Sequence, residues 1–126
     1  MLSDAKSMPV VAVSDLGRAR AFYEGKLGFV STGPVVEGVI YGTASGGFLV
    51  YPSGFAGTNK ATVISFQLDW AEFDAEIAAL RSAGVELATF DAPDGEWHDG
   101  VLEGAGMKSA WFTDPDGNFL NVETTQ

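Results

Sequence analysis

The sequence predicts a mixed α+β fold built from two similar halves. Two observations point there. Short β-branched or uncharged strand segments alternate with helical periodicity, and the order strand, capped helix, strands occurs twice.

The first half opens on Val10 to Val13, a β-branched run that reads as a buried strand. Ser14 and Asp15 follow as N-cap candidates, because a short side-chain oxygen can accept from the free amides of a first helical turn. Leu16, Ala19, Phe22 or Tyr23, and Leu27 recur at helical spacing, and Gly28 supplies the stop. Phe29 to Thr32, Val39 to Thr43 and Phe48 to Tyr51 are expected as three short strands, separated by Gly33-Pro34 and Gly46-Gly47. The polar, glycine-bearing stretch 53–60 reads as a connector between a first module, 8–52, and a second, 61–126, within one domain, 1–126.

The second half repeats the order. Thr62 to Leu68 is a charge-free strand, and Asp69 with Glu72 three residues on forms a capping-box pattern. Trp70, Phe73, Ile77 and Leu80 make an apolar stripe that Gly84 ends. Val85 to Phe90 is expected as a strand. Ser109 to Thr113 and Phe119 to Glu123 are expected as a hairpin around Asp114-Pro115-Asp116-Gly117, where proline presets one torsion and glycine accepts a positive φ. The span 91–106 breaks the repeat. It carries glycines, acids, Trp97 and His98, and reads as a flap beside whatever the strands enclose.

Composition narrows the function. The 126 residues suit one domain, and without cysteine there are no disulfides, thiolate metal sites or cysteine nucleophiles. Seven basic against 17 acidic residues give a net charge of −10, which disfavours nucleic acid and anionic membranes as partners but can steer a cation. No stretch approaches the roughly 18 apolar residues of a membrane helix, and the first residues lack the pattern of a signal peptide, so a cytoplasmic protein is expected. No Ser-His-Asp motif or phosphate loop is present; Gly104-Ala105-Gly106 is too short for one.

Two segments carry a family resemblance. VSDLGRARAFYEGKLGF resembles the first helix of the vicinal oxygen chelate superfamily, and AWFTDPDGNFLNVE resembles its closing hairpin. That superfamily includes glyoxalase I, extradiol dioxygenases, fosfomycin-modifying enzymes and bleomycin-binding proteins. The resemblance implies two tandem βαβββ modules whose mixed sheet curls into a cup with helices outside, and a homodimer. Metal-using members carry His and Glu ligands on four cup strands. Here the matching positions are Met8, Val50, Val63 and Asn121, which cannot replace imidazole and carboxylate at a divalent ion. No metal or other cofactor is therefore expected.

If those four positions face the cup, so do their alternate neighbours. The expected pocket then comprises Met8, Val10, Ala12, Phe48, Val50, Val63, Ser65, Gln67, Phe119, Asn121 and Glu123, with Trp111 and Tyr41 as additions. Trp97 and His98 would reach it from the flap. The mixture suits a small organic ligand held by aromatic faces and amides. The expected function is metal-independent binding of an aromatic or cationic natural product, as in antibiotic sequestration. The alternatives are a metal-using lyase, isomerase or dioxygenase, a metal-free enzyme using Glu123 or His98, and a structural or regulatory dimer whose cup is a filled core.

Overall fold

The computed structural model describes residues 1–126 except Ala5, Val36, Glu37 and Pro93. Two compact units, Met1–Asn59 and Lys60–Gln126, each hold one sheet and one main helix. In the first, β1 (Val10–Val13) leads into α1 (Leu16–Arg20), followed by β2 (Ser31–Val35), β3 (Gly38–Thr43) and β4 (Gly46–Pro52). In the second, β5 (Thr62–Gln67) leads into α2 (Phe73–Ser82), then β6 (Glu96–His98), β7 (Val101–Gly104), β8 (Met107–Thr113) and β9 (Phe119–Thr125). The sheet orders are β1-β4-β3-β2 and β5-β9-β8-β7-β6. Each first strand pairs in parallel with the last strand of its own unit, so both sheets are mixed as expected.

Asp15 caps α1 as its sequence position predicts: its Oδ1 accepts from the Arg18 amide at 2.9 Å. Ser14 instead accepts from the Arg18 guanidinium, at 3.0 Å. Beyond Arg20 the helix widens into π-type turns over Ala21–Lys26, closed by the Leu27 amide on the Phe22 carbonyl. Consecutive Phe22 and Tyr23 are both buried there. Gly28 at φ 78° then lets the chain turn away.

The core of the first unit is aromatic. Tyr23 stacks on Tyr41 with ring centroids 5.7 Å apart, and Phe48 packs on Tyr23, Phe29 and Tyr41 at 5.1–5.7 Å. Such pairs add about 0.5–1.5 kcal/mol each beyond burial. This corrects the pocket expected from sequence. Phe48, Val50 and Tyr41 are fully buried on the face that also carries Val11, and register confirms it: Val50 pairs with Val11 and Val39, and Tyr41 with Phe48. Val10, Leu49 and Ile40 form the opposite row. Phe48 and Val50 are therefore core, not cup.

In the second unit the capping box does not form. Helix α2 starts at Phe73, after a turn closed by the Glu72 amide on the Asp69 carbonyl, and no side chain caps it. Phe73, Ile77 and Leu80 are buried as the stripe predicts. Trp70 lies outside the helix, partly exposed beneath the Lys108 ammonium at 4.7 Å. The expected strand 85–90 shrinks to one bridge, Ala88 to Trp111. The flap is instead largely a β-hairpin, β6–β7, that extends the sheet; Pro93 within it lies outside the described residues. Asp99 (φ 50°) and Gly100 (φ 81°) form its two-residue turn, the Asp-Gly pair such hairpins favour.

A network on the first unit predicts two pH effects. The Tyr41 hydroxyl donates to Glu24 Oε2 at 2.9 Å, and Arg20 Nε donates to the same oxygen at 2.6 Å. Hydrogen bonds from Arg20 and Tyr41 hold the Glu24 carboxyl below its ordinary value, while burial and then Glu24 push the Tyr41 phenol up. Glu24 thus contributes stability above about pH 4.5 that is lost as pH falls through its lowered value. Tyr41 contributes stability below about pH 10 that is lost as pH rises. Chemical denaturation across pH should show a shallower acid decline for Glu24→Gln and a shallower alkaline decline for Tyr41→Phe. Phe48→Ala should cost about 3–5 kcal/mol in the same assay, as for any large core ring.

Candidate functional site

Strand alternation splits the second sheet into two faces. One carries Ala110, Phe112, Leu120 and Val122, all buried on the side of the α2 stripe. The other bears no helix of its own unit and gathers most of the residues singled out from sequence. Two rows cross it: Ser65–Asn121–Trp111 and Gln67–Glu123–Ser109–Leu102–Trp97.

The polar members form a hydrogen-bonded relay. The Asn121 amide donates to the Ala110 carbonyl at 3.2 Å, which aims Oδ1 at the Ser65 hydroxyl, 2.6 Å away. Ser65 Oγ accepts from Gln67 Nε2 at 2.9 Å, and the same nitrogen donates to Glu123 Oε1 at 2.6 Å. Ser109 Oγ lies 3.5 Å from Glu123 Oε2. Each group thereby fixes the next, and the relay ends on a carboxylate. Asn121 is 3% exposed and Ser109 7%, while Ser65 and Gln67 are exposed and Glu123 is half-buried, so the relay runs from buried groups out to the surface.

Aromatic rings wall the relay. Trp97, Trp111 and Phe90 pack edge to face with centroids 4.9–6.1 Å apart. Trp97 Nε1 donates to the Phe90 carbonyl at 3.1 Å and Trp111 Nε1 to Thr62 Oγ1 at 3.3 Å, so both indoles are held at their polar edges. Phe119 stands in the neighbouring row, paired with Thr113 and Thr62.

Five expected site residues stand off these rows. The register slips between Thr62 and Ile64, so Val63 falls at a bulge and Thr62 takes the place beside Trp111. His98 follows Trp97 on β6 and so points to the other face, where it lies 3.4 Å from Glu96 and 3.8 Å from Glu103. There it borders a cavity with Asp74, Ile77 and Arg81 of α2. In the first unit, Met8 and Val10 are exposed, while Ala12 is half-buried.

Sequence reasoning missed Ser109, Leu102 and Phe90. The Asp99-Gly100 turn was the available signal, because a hairpin there sets the parity that brings Leu102 beside Ser109.

The relay does not fit a divalent metal. Its donors are two carboxamides, two hydroxyls and one carboxylate, with no imidazole, and both Glu123 oxygens already face donors. Among the described residues no group of three or more His, Cys, Asp or Glu side chains is arranged to hold a metal.

A family model places this architecture. Residues 7–122 match the Glyoxalase/Bleomycin resistance protein/Dioxygenase superfamily, and the chain belongs to it. Solved structures share the fold. A glyoxalase/bleomycin resistance protein/dioxygenase from Alicyclobacillus acidocaldarius is 15% identical, with TM-score 0.74, covering 97% of this chain and 92% of that one. The fosfomycin resistance protein FosX from Mesorhizobium loti is 15% identical, with TM-score 0.68 and coverages of 98% and 93%. An integron cassette protein from the mobile metagenome of Halifax Harbour sewage outfall is 21% identical, with TM-score 0.64 and coverages of 95% and 99%. No curated protein matches the sequence. Among the described residues no helix is long and apolar enough to cross a membrane.

Asn121→Ala should destabilise the protein by about 1–3 kcal/mol, because it strands the buried Ala110 carbonyl and removes the acceptor of the exposed Ser65 hydroxyl. Denaturant titration measures it, and a change within about 0.5 kcal/mol would contradict the relay.

Proposed function

We propose that this chain is a metal-independent binding protein for a flat, cationic organic molecule, seated on the helix-free face of the second unit. The observation that carries the reading is the Glu123 carboxylate, held by Gln67 and Ser109 at the end of the relay and beside the packed rings of Trp97, Trp111 and Phe90. A flat cation satisfies both features at once. Its ring meets aromatic surface, and its N–H edge donates to a carboxylate whose position is already fixed, so little ordering remains to be done on binding. The net charge of −10 steers a cation towards the protein from a distance.

The relay favours binding over catalysis. Both oxygens of Glu123 are already engaged, by the Gln67 amide and the Ser109 hydroxyl, so the carboxylate is held as an acceptor in a fixed position. Fosfomycin resistance proteins share the fold, so protection against a natural product is the biological role this reading carries. The family resemblance adds a homodimer, and the cytoplasm is the compartment this reading assigns.

Titration with 9-aminoacridine, a flat fluorescent cation, tests the proposal. Quenching of tryptophan emission with Kd below about 100 μM is expected, unchanged by EDTA. Glu123→Gln should weaken binding roughly tenfold, as for a charge-assisted hydrogen bond. The absence of saturable binding, or a requirement for added Mn²⁺ or Zn²⁺, would overturn it.

A further inference from the structure

A second feature of the same face says what shape that molecule has. Beyond Ser109, which donates to the carboxylate that ends the relay, lies a cavity of about 280 Å³ lined by Asp94, Gly95, Leu102, Gly104, Ala105, Met107 and Ser109. Gly95, Leu102, Gly104, Met107 and Ser109 stand at alternate positions in register with Trp97 and Glu123, so the cavity and the relay share one face of one sheet. Ser109 belongs to both.

The cavity is built by an unusual stretch of backbone. Gly95 and Gly104 lie against each other so closely that a Cβ on Gly104 would sit 3.0 Å from the Cα of Gly95, and a Cβ on Gly95 would sit 2.8 Å from the Glu103 carbonyl. The β7–β8 turn then places Ala105, not glycine, at φ 51°, followed by Gly106 at φ 76°. A left-handed alanine is costly, and this one lines the cavity. Leu102 and Met107 complete an apolar lining, and Asp94 brings an exposed carboxylate.

We infer that the ligand of this face carries an aminoalkyl arm, whose methylene stem fills the cavity against Leu102, Ala105 and Met107 and whose terminal ammonium meets Asp94. This rests on the binding function proposed above. The cavity is slightly smaller than sites that enclose a whole organic ligand, about 300–1,000 Å³, so it suits one limb of a molecule anchored elsewhere. Its apolar lining excludes a polar limb, and Asp94 selects a cation at the tip.

Three probes separate the parts: 9-aminoacridine, its N-butyl derivative and its N-(4-aminobutyl) derivative, each titrated by calorimetry. The butyl arm should tighten binding about tenfold through buried methylenes, and the terminal amine a further threefold or so through an exposed ion pair. Asp94→Asn should erase the difference between the aminobutyl and butyl probes and leave 9-aminoacridine unchanged. Met107→Ala should shrink the gain from the butyl arm. If 9-aminoacridine binds but neither arm improves on it, or if the gains survive both variants, the arm is refuted and the binding face stands. If 9-aminoacridine itself fails to bind, the binding face falls and the arm with it.

Discussion

The parallel pairing of β5 with β9 is the constraint on which the candidate site depends. It sets Ser65 opposite Asn121 and Gln67 opposite Glu123, and antiparallel β8 then adds Trp111 and Ser109 to the same rows. A slip of one residue between these strands would exchange Asn121 and Glu123 for Leu120 and Val122, putting polar groups into the helix-facing core. Burial of Leu120 and Val122 on one face therefore enforces the alignment of the relay on the other. The same pairing of first and last strand recurs between β1 and β4, where it sorts the buried Val11 and Val13 from the exposed Val10.

The two units use one topology for different ends. In the first, the aromatic residues Tyr23, Phe29, Tyr41 and Phe48 crowd together as core, with Glu24, itself held by Arg20, accepting from the Tyr41 phenol. In the second, the helix-facing core is mostly aliphatic, and the aromatic cluster of Phe90, Trp97 and Trp111 stands on the opposite face. Large rings on a face with no helix of its own, beside a satisfied polar relay, suit contact with something outside the unit. The β6–β7 hairpin makes this possible by carrying Trp97 and Leu102 to the same rows as Ser109 and Glu123.

The sequence made the module order and much of the relay legible, because those features rest on local signals. Asp15 caps its helix, and Ser65, Gln67, Asn121 and Glu123 alternate with apolar neighbours along their strands. Parity failed where alternation is absent. Strand β4 reads Phe-Leu-Val-Tyr, apolar on both faces, so nothing in it distinguishes Phe48 and Val50 from Leu49 and Tyr51; only their partners on β1 and β3 do. Val63 sits at a register slip that no residue type announces. His98 was grouped with Trp97 because a loop has no parity, whereas in a strand adjacent residues must point apart. Asp69 was preferred as a cap for its chemistry, but the helix begins only at Phe73.

Amide and indole resonances test the central claim most directly. In ¹H–¹⁵N spectra of the full chain with 9-aminoacridine and EDTA, the side-chain amides of Gln67 and Asn121 and the indole N–H groups of Trp97 and Trp111 should shift together along one saturable curve. The backbone amides of Tyr41 and Phe48, deep in the other core, should stay in place. Shifts centred on Tyr41 and Phe48, or relay and indole signals that move only once a divalent metal is supplied, would contradict the account.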